Sequence, residues 1–237
     1  MSKVRVYFKE ITDKDNVVIE DKDIVHKIRD VLRLSQEDKV YLFDGEGREY
    51  CAIVDRITKN LVTLKNIKLE RLQEETKFKL FLGFPLLREE KIDFILQKTT
   101  ELGVSGFIPF FCKNSLNNRP SAEKIKRWIK IIIEATRQSD RLWCPQLLET
   151  SSFDKILKMD FEEKFVATKN GKKIDTYLKK YFSKEIFIIV GPEGDFDKDE
   201  YILLEKNNFK KILLSQNTLR VETAAIFAVG LFNYFLL

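Results

Sequence analysis

The sequence predicts an α/β fold in two parts: a small β-barrel or curled sheet over residues 1–72, and a parallel sheet with helices on both faces over residues 73–237. Three observations predict it. Up to about residue 70 the chain runs in short alternating segments, the mark of half-buried strands. Beyond that point strand-like and helix-like runs alternate, the rhythm of a parallel sheet with crossover helices. The run Ile186 to Val190 is continuously apolar, as a strand covered on both faces should be.

In the first part, strands are expected at Lys3 to Phe8, Val17 to Glu20, Val40 to Asp44, Glu49 to Asp55 and Leu61 to Leu69, with one helical stretch from Lys22 to Leu34. Asp44-Gly45-Glu46-Gly47 offers two glycines between strand-like runs and predicts a hairpin. The polar run Glu70 to Lys77 reads as a linker. The second part places strands at Phe78 to Phe84, Gly106 to Phe111, Lys164 to Thr168, Glu185 to Val190 and Lys210 to Leu214. Helical patterns lie between and after them at Glu89 to Leu102, Ala122 to Ser139, Ile174 to Phe182, Lys198 to Glu205 and Val221 to Leu236.

Composition narrows the chemistry. The 237 residues are 44% apolar and 33% charged, a globular balance. The longest mostly apolar run, Ala224 to Leu237, is shorter than the ~18 residues of a bilayer span. The charged amino terminus MSKVRVYFKE lacks an apolar export signal, so a soluble cytoplasmic protein without membrane partners is expected. Three cysteines far apart in sequence form neither a disulfide framework nor a metal clip, and one histidine, His26, excludes His-rich metal sites. The net charge of +5 permits a nucleic-acid partner, and a lysine-rich solvated surface gives the same sum.

In open parallel sheets, ligands bind beyond the carboxyl ends of the strands. Gly191-Pro192-Glu193-Gly194 follows the buried strand there, with Asp197 and Glu200 at capping-box spacing. It is neither a P-loop nor a dinucleotide fingerprint, and a plain strand-to-helix turn accounts for the spacing equally well. The second such loop, Leu213 to Arg220, places Arg220 and Glu222 beside an apolar helix. A guanidinium at a pocket mouth suits an anion or a base edge, while an Arg-Glu surface pair is the simpler reading. Two helices carry polar stripes. In the first, Ile92, Ile95, Leu96, Thr99 and Leu102 form the buried side, with Lys91, Lys98, Gln97 and Glu101 around it. In the second, Glu134, Gln138 and, if the helix continues, Arg141 fall at i, i+4 and i+7.

Four segments, QKTTELGV (Gln97 to Val104), EATRQSDR (Glu134 to Arg141), IIVGPEGDF (Ile188 to Phe196) and LRVETAA (Leu219 to Ala225), occur in this order. With HKIRDVLRLSQEDKVYLFDGEGREYCA (His26 to Ala52), they resemble the ribosomal RNA small subunit methyltransferase E family, the 16S rRNA uridine-N3 methyltransferases of the SPOUT superfamily. The likeness covers nearly the whole chain. It implies an amino-terminal PUA-like β-barrel for RNA, a carboxy-terminal SPOUT α/β domain with a trefoil knot, and a homodimer. It further implies S-adenosyl-L-methionine as cofactor, and uridine 1498 of 16S rRNA in the small (30S) ribosomal subunit as target.

Carried over by position, the resemblance assigns the cofactor to Thr168, Gly191, Pro192, Glu193, Gly194, Leu213, Leu214, Ser215, Leu219, Arg220 and Thr223. Asp195 and Ser215 stand where the family usually has glycine, so either local backbone angles differ there or Asp and Ser tolerate the glycine-like ones; Val221 replaces a common threonine. Methyl transfer to N3 needs close alignment and loss of the N3 proton, and no metal. N3 is hidden in a base pair, so a single-stranded or extruded uridine is expected. Arg220 is expected to stabilise the uracil anion, with Glu193 and Glu222 as candidate bases beside direct loss to water. RNA contact is expected at Arg5, His26, Arg29 and Arg33, and near the cleft at Lys91, Lys98, Gln138 and Arg141. Two other readings remain: a SPOUT enzyme acting on tRNA or another rRNA position, and a non-enzymatic RNA-binding protein.

Overall fold

The structure is a computed structural model that describes residues 3–11, 16–177 and 185–236. The chain divides into two compact units, Met1–Glu75 with Thr136–Cys144, and Thr76–Ala135 with Pro145–Leu237.

The first unit is built on strands β1 (Arg5–Tyr7), β2 (Asn16–Ile19), β3 (Lys39–Phe43), β4 (Arg48–Ile57) and β5 (Val62–Leu72). They form one sheet in the order β1-β3-β4-β5-β2, antiparallel except for β1 beside β3. Three register shifts between β4 and β5 bend this pair, as bulges do, and curl the sheet over a core of Val40, Leu42, Val54, Val62 and Leu64. The hairpin falls at Asp44 to Gly47, where Gly45 and Gly47 take φ of +77° and +98° and Asp44 Oδ1 accepts from the amides of Glu46 and Arg48.

Two expectations change here. The helix expected over Lys22 to Leu34 is α-helical only in α1 (Lys22–His26), capped by the Asp21 carboxylate, and continues as a π-helix over Lys27–Val31. Leu32 N then donates to Lys27 O at 2.8 Å, and Arg33 turns to φ +51°, which ends the helix before Leu34. The expected linker Glu70 to Lys77 starts as strand. Residues 70–72 stay in β5, where Arg71 lies opposite Glu49 and bonds Asp140 at 2.9 Å, so ladder and ion-pair energy override a polar composition.

The second unit contains β6 (Lys79–Pro85), β7 (Gly106–Phe111), β8 (Gln146–Leu147), β9 (Ser151–Ser152), β10 (Glu163–Lys172), β11 (Glu185–Ile189) and β12 (Phe209–Ile212). The sheet is parallel throughout in the order β12-β10-β11-β6-β7-β8, with β9 also on β7. Its helices are α2 (Glu89–Glu101), α3 (Ala122–Gln138), α4 (Phe153–Leu157), α5 (Lys198–Lys206) and α6 (Val221–Leu236). The period-2 strand geometry sorts the core into two layers. Leu80, Leu82, Ile186 and Ile188 face a cluster with Ile95 of α2, Trp128 of α3 and Val229 of α6. Phe81, Phe187 and Ile189 face Ile156 of α4, Leu204 of α5 and Phe196. Helices therefore cover both faces. No described helix is long and apolar enough to cross a membrane.

The short elements β8, β9 and α4 carry no periodic pattern of useful length, and sequence reading passed over them. Within the expected helix Ile174 to Phe182, the described part is a 3-10 turn at Ile174–Thr176; residues 178–182 lie outside the described residues. On α2, Thr100 replaces Leu102 in the buried stripe because the helix ends at Glu101, leaving Leu102 40% exposed.

Candidate functional site

Strands β12, β10 and β11 are neighbours, so their carboxyl ends bring three chain segments together. The cleft between them has about 690 Å³ of free space including its open mouth. It is lined by Ala167, Thr168 and Lys169 after β10, by Val190 to Glu193 and Asp195 after β11, and by Leu214, Ser215 and Asn217 to Leu219 after β12; Val221 and Ala224 of α6 complete it. Gly171 permits the crossing beside it: a Cβ there would lie 2.2 Å from the Ile212 carbonyl carbon, while Leu213 N donates to Lys172 O at 2.9 Å.

Of the expected cofactor residues, Thr168, Gly191, Pro192, Glu193, Leu214, Ser215 and Leu219 line this space. Leu213, Gly194, Arg220 and Thr223 do not. Leu213 is half-buried in its bond to Lys172, and Gly194 and Thr223 are exposed. Arg220 is also exposed, its carbonyl accepting from Ala224 N at 2.8 Å in the first turn of α6. Sequence reading missed Ala167, Lys169, Val190, Asp195, Asn217, Thr218, Val221 and Ala224 as lining. All but Asn217 adjoin an expected residue, so the strand-end rule was the available signal.

The loop after β11 is firmly held. Asp197 caps α5 by accepting from Glu200 N at 2.8 Å, and Glu200 returns the bond to Asp197 N at 3.0 Å, completing the expected capping box. Lys113 hydrogen-bonds Asp197 at 2.5 Å and holds its carboxyl below the usual range. Asp195 adopts φ +62°, a conformation natural to glycine that Asp tolerates. Its Oδ1 accepts from Phe196 N and from Tyr201 Oη, each at 2.8 Å. Ser215, the other departure, keeps a negative φ, and its hydroxyl accepts from Asn217 N at 3.1 Å.

The two candidate bases share one lysine. Lys91 Nζ bonds Glu193 Oε1 at 2.6 Å and stands 3.8 Å from Glu222 Oε2. This hydrogen bond, with the ammonium charge, holds the Glu193 carboxyl below its ordinary range. Glu222 Oε2 is buried and takes no hydrogen bond among the described residues.

The expected RNA residues divide. Arg5 is not available to RNA: its side chain is 4% exposed, with Nε on Glu49 at 2.5 Å and its terminal nitrogens on the carbonyls of Arg137 and Arg141 at 2.8 and 2.9 Å. Arg141 is not on the expected helical stripe, because α3 ends at Gln138. Its half-buried guanidinium is pushed down to about 10 by desolvation and still carries its charge at neutral pH. His26, Arg33 and Gln138 are exposed, and Arg29 binds Asp30 and the Lys59 carbonyl. Lys98 pairs with Glu101 at 2.9 Å, as Lys91 does with Glu193.

The second unit thus has a parallel sheet with a cleft at its strand ends, and the first is a curled β unit. The family profile described as an RNA methyltransferase domain matches residues 74–233, and an RNA methyltransferase PUA domain profile matches residues 19–65, so the protein is of the RNA methyltransferase class. The chain is 33% identical to the ribosomal RNA small subunit methyltransferase E of Rickettsia conorii, covering 87% of this chain and 84% of that protein. It is 29% identical to the protein of that name from Bacillus subtilis, over 89% and 87% of the two chains. It belongs to the ribosomal RNA small subunit methyltransferase E family. The crystal structure of the Neisseria gonorrhoeae relative, which is bound to S-adenosyl methionine, superposes with a TM-score of 0.89 at 26% identity, over 98% of both chains.

Proposed function

We propose that this protein transfers a methyl group from S-adenosyl-L-methionine to N3 of a uridine in 16S rRNA of the small ribosomal subunit, at position 1498, and that it acts in the cytoplasm. The observation that carries this reading is the cleft at the ends of β10, β11 and β12. Ala167, Val190, Leu214, Leu219, Val221 and Ala224 supply an apolar slot for adenine, and the loop backbones supply donors and acceptors. The residues present therefore fit the cofactor, with Thr168, Gly191 to Glu193, Leu214, Ser215 and Leu219 holding it. When bound, it supplies an electrophilic methyl group on a sulfonium.

The chain's own groups handle the charge that develops on uracil. Arg220 has no ion pair among the described residues, and its planar guanidinium suits the delocalised anion left when N3 loses its proton. Glu193 is committed to Lys91, and a carboxyl held low is a poor base near neutral pH. Glu222 keeps an acceptor oxygen without a hydrogen bond and takes the base role. RNA contact falls to His26, Arg29, Arg33 and Gln138, so affinity should fall steeply with salt.

The reading includes a homodimer. Helix α6 is apolar nearly all round; its Ala225, Ala228, Val229 and Phe232 are buried, yet Phe227, Tyr234 and Phe235 are 44%, 75% and 38% exposed. Phe94 of the adjacent α2 and Leu102, just past its end, add to that apolar surface. Sedimentation at micromolar concentration should give a dimer. Labelled methyl transfer to undermodified 30S subunits and to naked rRNA, followed by nucleoside analysis, tests the activity. 3-Methyluridine at 1498 is the expected product; a different methylated nucleoside, or none, would overturn the assignment.

A further inference from the structure

Three charged side chains line the cleft: Lys169, Glu193 and Asp195. Glu193 already has its counter-charge in Lys91 at 2.6 Å. Asp195 and Lys169 have no opposite charge within ion-pair distance among the described residues. The Asp195 carboxylate is nonetheless fixed. Tyr201 Oη and Phe196 N both donate to Oδ1 at 2.8 Å. The second oxygen, Oδ2, takes no hydrogen bond among the described residues. A clamped anion and an unmatched cation thus line the same cleft.

We propose that Asp195 and Lys169 seat the amino-acid end of S-adenosylmethionine, Asp195 taking the α-ammonium and Lys169 the α-carboxylate. The inference rests on the cofactor proposed above. The apolar lining suits the nucleoside and leaves these two charges unused, whereas the methionine end carries one charge of each sign. Charge-assisted hydrogen bonds to a pre-positioned carboxylate are the stronger kind, and Asp195 is positioned by two donors before any ligand arrives. Tyr201 acts on the ligand only through Asp195 and is a positioning residue. The left-handed backbone at Asp195 also makes the test clean, since Asn tolerates that conformation and Gly prefers it.

Calorimetric titration of the wild type, Asp195→Asn, Asp195→Gly and Lys169→Ala decides the matter, with S-adenosylmethionine, S-adenosylhomocysteine and 5′-methylthioadenosine as ligands. The last keeps the nucleoside and lacks the amino-acid end. Both Asp195 variants should weaken the first two ligands about tenfold, which is ~1.4 kcal/mol, and leave 5′-methylthioadenosine within about twofold. Lys169→Ala should weaken the same two ligands about threefold, because its ammonium is exposed. Equal loss for 5′-methylthioadenosine would move the contact to the nucleoside and overturn the assignment, as would unchanged affinity in every variant. Failure of the wild type to bind S-adenosylmethionine would remove the cofactor reading itself.

Discussion

In the first unit Glu49 is sealed from solvent and ringed by Arg5 at 2.5 Å, Lys3 at 2.6 Å and Arg71 at 3.5 Å; in the second, Glu193 is 56% exposed and shares Lys91 with Glu222. Both are carboxylates held by cations, yet they serve different ends. A buried carboxylate whose partners are removed leaves a charge with nowhere to go, so the Glu49 cluster sets stability. An exposed pair gains little free energy and is screened by solvent, so the Lys91 cluster is free to serve the cleft. The Glu49 cluster also explains why residues 136–144 pack with the first unit: the carbonyls of Arg137 and Arg141 accept from Arg5, and Asp140 pairs with Arg71.

The largest effect should come from the sealed cluster. Arg5→Met removes the buried partner of Glu49 and two bonds to residues 137 and 141, and should destabilise the protein by about 3–5 kcal/mol in urea unfolding. A loss below about 1 kcal/mol would mean that Lys3 and Arg71 suffice, and the contrast between the clusters would fail.

Next in size is Arg220→Ala. An exposed residue without an ion pair among the described residues should leave unfolding unchanged within about 0.5 kcal/mol. Its loss should slow methyl transfer about 100-fold, roughly 2.7 kcal/mol in the transition state. Wild-type turnover on saturating substrate would remove it from the chemistry. Asp197→Ala is smaller: losing one side of the capping box should cost about 1 kcal/mol of stability, read as a lower unfolding midpoint. Cofactor affinity should fall with it, since Asp197 anchors the loop that carries Asp195.

The parts legible in the sequence were those with long periodic or local signals. The β7 strand, the α6 span, the Asp197–Glu200 box and the glycine hairpin follow from spacing within one segment. What needed the fold was tertiary. Nothing near Arg5 in the sequence announces Glu49 as its partner 44 residues on, so a basic residue in an RNA-binding unit reads as an RNA contact. Lys91 and Glu193 lie 102 residues apart and meet only because α2 and the β11 loop converge. Asp195 was noticed as a departure from glycine, but its role depends on Tyr201, which helix α5 brings within reach.

The smallest effect sharpens the comparison most. Lys91→Met should leave stability within about 0.5 kcal/mol, because the Glu193 pair is exposed. The carboxyl of Glu193, held low by Lys91, should move back up toward the ordinary carboxylate range, followed by its side-chain carbon resonance during a pH titration. The sign is fixed by linkage: a carboxyl whose folded-state pKa is depressed contributes stability above its unfolded value and loses it as pH falls through the lower folded value. The wild type should therefore lose a small increment of stability to acid below the ordinary carboxylate range that Lys91→Met does not lose. An unmoved Glu193 titration would show that the lysine does not set its charge. The carboxylate would then be as available to act as a base as Glu222, and the division of labour between the two would have to be redrawn.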